Sequence, residues 1–144
     1  MNILIVFETQ NGTTQYVAEV MEKQLQDAGH KVNLHSIRSK GMKPDLTGVD
    51  VVLYGAPTYD DGLLEQTMRN YISQDNPDLS QKKVAVFGLG NKFYPQFCYS
   101  AKFLAEWVEK NHGVLMVENL MLDAFPDNLE PVHSWVEQIL QKLV

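Results

Sequence analysis

The feature that most constrains the fold is an alternation. Five short apolar runs, NILIVF (2–7), KVNLHSI (31–37), DVVLYGA (50–56), KVAVFGL (83–89) and VLMVENLML (114–122), are separated by segments whose apolar residues recur at helical spacing. Strand, helix, strand in steady succession predicts an α/β architecture with a parallel sheet and helices on both faces. The helical stripes are Val17, Met21, Leu25 and Ala28; Leu64, Met68, Tyr71 and Ile72; Phe97, Ala101, Leu104 and Val108; and Val132, Val136, Ile139, Leu140 and Leu143. Gly29 stands where the first helix should stop and Pro131 where the last should start. Residues 38–48, RSKGMKPDLTG, lack apolar periodicity and read as a loop.

Strand character orders the sheet. The first, third and fourth runs are nearly all apolar, as strands covered on both faces must be, whereas Asn33, His35, Glu118 and Asn119 interrupt the second and fifth. The latter two are therefore read as edges, and an order of 2-1-3-4-5 satisfies this. With right-handed crossovers the topological switch falls between strands one and three, so a ligand belongs outside the carboxyl ends of the strands, near residues 8–14, 56–62 and 88–98.

Composition narrows the function. At 144 residues and 44% hydrophobic content the chain makes one domain, 1–144, and its net charge of −6 disfavours nucleic acid and anionic membrane surfaces. The single cysteine, Cys98, excludes an internal disulfide, and the four histidines lack metal-ligand spacing. With no basic leader and no long apolar stretch, a cytoplasmic protein is expected; a monomer is expected as well.

Each of the three loops has a chemistry. Thr9, Gln10, Asn11, Gly12, Thr13 and Thr14 lead from the first strand into the first helix, placing hydroxyls and a glycine at a helix N-terminus without Lys or Arg. Such a loop suits a terminal phosphate, and the P-loop pattern of nucleotide hydrolases is missing; a plain Thr-capped helix is the alternative. The loop APTYDDG supplies Tyr59 at a strand end, and GLGNKFYPQFC supplies two glycines for close backbone approach, then Phe93 and Tyr94. Phe97 starts an apolar stripe and Cys98 reads as a small buried residue. A phosphate cradle with aromatics across a gap suits a planar phosphorylated heterocycle.

FETQNGTTQYVA resembles the phosphate loop of the flavodoxins, and PTYDDG and FGLGNKFYPQFC resemble their loops after strands three and four, the last being similar also to the FMN domain of diflavin reductases. The resemblance runs end to end, with no insertion in the fifth strand, as in short-chain members. It implies a flavodoxin-like three-layer sandwich that binds FMN non-covalently. Carried over residue by residue, it puts the phosphate on Thr9, Gln10, Asn11, Gly12, Thr13 and Thr14, and ribityl and ring-edge contacts on Ala56, Pro57 and Thr58. Tyr59 and Tyr94 would sandwich the ring, the Asp61 N–H and Asp60 C=O would face its N5, and backbone at Gly90, Asn91 and Cys98 would meet the pyrimidine edge. Gly62, Gly88, Leu89 and Phe97 complete the implied cofactor-binding set. The family's commoner phosphate loop ends T-G-N-T where this one ends N-G-T-T.

The implied function is a low-potential one-electron carrier with no substrate of its own, taking electrons from an NAD(P)H-dependent reductase and passing them to acceptor proteins with basic docking patches. Asp60, Asp61 and Glu65 then read as a docking rim. A phosphatase of similar topology would need Cys and Arg in residues 8–14, and a receiver domain would need Asp at the strand ends; neither pattern is present. A flavodoxin-like module dedicated to one enzyme or maturation system remains the second reading.

Overall fold

The computed structural model describes residues 1–9, 12–58, 66–91, 98–123 and 128–143. Its strands are β1 (Asn2–Phe7), β2 (Lys31–Ser36), β3 (Val51–Pro57), β4 (Lys83–Gly90), β5 (Val114–Leu115) and β6 (Leu120–Asp123). The helices are α1 (Thr13–Asp27), α2 (Ile37–Lys40), α3 (Gln66–Gln74), α4 (Tyr99–Lys110) and α5 (Glu130–Lys142). All pairings are parallel, in the order β2-β1-β3-β4-β5, with β6 also paired to β4. The expected order is therefore borne out.

Alternation along the strands builds two cores. Ile3, Ile5 and Phe7 of β1 face α1 and α5 through Val17, Met21, Leu25, Val136 and Ile139. Leu4 and Val6 face the other way, joining Tyr54 of β3 and Met68, Tyr71, Leu104 and Trp107 of α3 and α4. Near-complete burial of β1, β3 and β4 on both faces explains their continuous apolar runs. The result is a three-layer sandwich.

Several details depart from the expectation. The fifth run is not one strand over 114–122: Val84 pairs with Leu115 and Phe87 with Leu120, so residues 116–119 lie opposite only Ala85 and Val86. The Trp135 indole of α5 donates to the Glu118 carbonyl at 2.8 Å and holds that segment out of the ladder. Residues 37–40, expected in strand and loop, form the single turn α2, anchored by buried Ile37. Ala28 is an exposed C-cap rather than part of the buried stripe, and Gly29 takes φ +94° just beyond it. Pro131 sits in the first turn of α5 as expected.

Candidate functional site at the carboxyl ends of the strands

The switch point between β1 and β3 opens onto the first loop. The Glu8 amide continues the ladder by donating to the Gly55 carbonyl at 3.2 Å, and the Thr9 amide then donates to the Glu8 carboxylate at 2.7 Å. Gly12 donates its amide to the Thr9 hydroxyl at 2.8 Å and, at φ +92°, acts as the N-cap of α1. That left-handed conformation favours glycine. Among the described residues the cap position of α1 is this glycine rather than a threonine, and Thr13 and Thr14 are the first two helical residues, both buried. The start of an α-helix carries a partial positive charge that favours an anion. Gln10 and Asn11 lie outside the described residues.

The second and third loops are tied to each other. Past β3 the Thr58 amide donates to the Leu89 carbonyl at 2.7 Å, carrying the β3–β4 pairing one residue beyond Pro57. Buried Ser100, in the first turn of α4, donates its amide to the Thr58 hydroxyl and its own hydroxyl to the Ala56 carbonyl, each at 2.9 Å. Gly88 and Gly90 do serve close backbone approach, but the described neighbour is α4 itself. A methyl on Gly88 would lie 2.6 Å from the Ser100 hydroxyl, and one on Gly90 2.8 Å from the Cys98 nitrogen. Cys98 takes φ 53° as the N-cap of α4 and is 1% exposed. Its thiol donates toward the Gly88 and Leu122 carbonyls at 3.4 and 3.3 Å. Burial pushes that thiol up to about 12, so the side chain is inert packing, as read from sequence, while its backbone stays beside Gly90.

Thr9, Gly12, Thr13 and Thr14, Ala56 to Thr58, and Gly88 to Asn91 with Cys98 thus gather at one end of the sheet, at the carboxyl ends of β1, β3 and β4. Tyr59, Asp60, Asp61, Gly62, Glu65, Phe93, Tyr94 and Phe97 lie outside the described residues, and with them the expected ring sandwich and docking rim.

Three functional-looking residues escaped the sequence reading. One is Ser100, whose only signal is a small hydroxyl residue in the first turn of an apolar helix. The others are Glu8 and Arg38. Glu8 is fully buried, and the Arg38 guanidinium donates from Nε to its carboxylate at 3.3 Å and from Nη2 to the Thr67 hydroxyl at 3.1 Å. A single polar residue closing an apolar run was the only sign of Glu8.

With this geometry in view, comparison with known proteins is decisive. The family model described as Flavodoxin matches residues 5–135. The chain belongs to the flavodoxin family. Flavodoxins are FMN-binding electron-transfer proteins rather than enzymes with substrates of their own. The chain is similar to a flavodoxin of Maridesulfovibrio salexigens, 31% identical over 143 residues with 97% of each chain covered. It is similar in structure to oxidised flavodoxin 2 of Bacillus cereus, at TM-score 0.89 and 27% identity over 99% of each chain. A Fusobacterium nucleatum flavodoxin described as bound to flavin mononucleotide shares the fold, at TM-score 0.84 and 21% identity over 98% of each chain. Among the described residues no helix is long and apolar enough to cross a membrane.

Proposed function

We propose that this flavodoxin acts as one domain that binds FMN non-covalently at the carboxyl ends of β1, β3 and β4. There it carries electrons, one at a time and at low potential, from an NAD(P)H-dependent reductase to acceptor proteins in the cytoplasm. The observation that carries the reading is the start of α1: a glycine N-cap in the left-handed conformation and two buried threonines, in a loop whose sequence holds no cationic side chain. This donor set fits a phosphate, which the helix N-terminus and hydroxyls bind without lysine.

When bound, FMN supplies the redox chemistry, and the chain sets its environment. Thr13 and Thr14 with the α1 terminus would hold the phosphate; Ala56, Pro57 and Thr58 would border the ribityl chain and ring edge; backbone at Gly90, Asn91 and Cys98 would meet the pyrimidine edge. Tyr59 and Tyr94 would flank the ring, excluding water. Low potential follows from charge: a phosphate dianion and the acidic residues Asp60, Asp61 and Glu65 oppose further negative charge on the ring. The same rim would steer basic partners.

Titrating the deflavinated protein with FMN and with riboflavin tests the site: FMN should bind tightly at one equivalent, and equal affinity for riboflavin overturns the phosphate assignment. Reduction by a flavodoxin reductase followed by reoxidation by several unrelated acceptors tests the carrier role. Turnover with a single acceptor would support the dedicated module instead.

A further inference from the structure

We propose that Glu8 and Arg38 form a charge-balancing pair that sets selectivity for the phosphorylated over the unphosphorylated flavin, with Arg38 as the specificity-determining residue. This rests on the reading of residues 9–14 as the phosphate loop.

Glu8 is an unusual residue for its place. It directly precedes that loop, its side chain is 0% exposed, and its carboxylate accepts from the Thr9 amide at 2.7 Å. A buried anion beside a site for a second anion disfavours the ligand, because the low local dielectric strengthens repulsion. Arg38 supplies the compensation. Its Nε lies 3.3 Å from the Glu8 carboxylate, and residues 9–14 contain no charged side chain, so the Glu8–Arg38 pair itself is formally neutral. Without Arg38, the Glu8 carboxylate would lose this cation.

The fold explains why an arginine stands there. α2 is one helical turn at the end of edge strand β2, and it delivers Arg38 toward the end of β1, the neighbouring strand. The planar guanidinium donates at once to Glu8 and, through Nη2 at 3.1 Å, to the Thr67 hydroxyl in the first turn of α3. A lysine could provide the charge but not the two fixed directions. Arg38 therefore joins the root of the phosphate loop to the helix that follows residues 59–65.

The test is the ratio of riboflavin to FMN dissociation constants, measured on full-length deflavinated protein at fixed pH and ionic strength. Arg38→Met should lower that ratio about tenfold, mostly through FMN, because it leaves one uncompensated negative charge near the phosphate. Glu8→Gln should raise it, and the double variant should return it to within about threefold of wild type, the two charge changes cancelling. Arg38→Lys, which keeps the charge, should retain most of the ratio. Glu8→Gln strands no buried charge and so keeps the test open should Arg38→Met fold poorly. An unchanged ratio in Arg38→Met, with both flavins weakened alike, would make Arg38 merely structural and overturn the proposal. A ratio in the double variant as low as in Arg38→Met would also overturn it, since Glu8 would not be the reason for the arginine. A wild-type protein that already fails to distinguish the two flavins removes the phosphate-loop reading itself, and this proposal with it.

Discussion

The Ser100 amide donates to the Thr58 hydroxyl at 2.9 Å, joining the first turn of α4 to the residue that leaves β3. A second bond, from the Ser100 hydroxyl to the Ala56 carbonyl, closes the link, so the end of β3 and the start of α4 are tied at two points. Thr58→Val should leave a buried amide without an acceptor and cost about 1–3 kcal/mol, whereas Thr58→Ser should stay close to wild type. Urea denaturation of the two variants compares them; a larger loss in Thr58→Ser than in Thr58→Val would mean that the methyl group, not the hydroxyl, matters at Thr58.

A glycine in β3 seats an aromatic ring. Gly55 pairs with Phe87 in the register, and a methyl group on Gly55 would collide with the Phe87 ring. Gly55→Ala should cost at least about 1–3 kcal/mol through overpacking of the central sheet. Phe87→Leu in the same chain should recover part of that loss, and additive losses in a double-mutant cycle would contradict the steric account.

Alkaline pH should find a weakness at Cys98. Burial is the chief cause of its raised value of about 12, against an ordinary 9.0, and the Asp123 carboxylate adds in the same direction. The folded state thus favours the neutral thiol: its contribution to stability is complete below the ordinary value and is lost as pH rises from about 9 toward 12. Tyr54 and Tyr71, both buried and both shifted upward by burial, act with the same sign at still higher pH. Cys98→Ala should lose less stability than wild type between about pH 7 and pH 10.5. Parallel pH profiles for the two would contradict the burial argument, as would rapid alkylation of Cys98 in the native protein.

In the phosphate loop, Thr14→Ala should weaken FMN by about 1–2 kcal/mol, the loss of one charge-assisted hydrogen bond, and leave riboflavin affinity nearly unchanged. An unaltered FMN dissociation constant would withdraw Thr14 from the cradle.

Much of this arrangement was legible in the residues. NILIVF, DVVLYGA and KVAVFGL announce central strands because both faces of each are covered, and Asn33 and His35 mark β2 as an edge. From that order the switch point follows, and with it the place of Thr9 and of Gly12 to Thr14. The break between β5 and β6 was hidden, since Met116 and Val117 are apolar and the cause is an indole on α5, far along the chain. α2 was hidden too, being one turn too short to show a period. Glu8 escaped for a related reason: a carboxylate at the end of a strand reads as an exit to solvent, and its burial depends on Arg38, thirty residues on. Local pattern carries the sheet and the loops, whereas pairings made across the fold carry the charge balance at the site.

The purified protein's visible spectrum, followed by identification of what denaturation releases, tests the central claim most directly. Flavin absorption bands are expected, with FMN released at one equivalent per chain and taken up again at the same ratio by the refolded protein. A colourless protein that neither releases FMN nor binds it on titration would contradict the account.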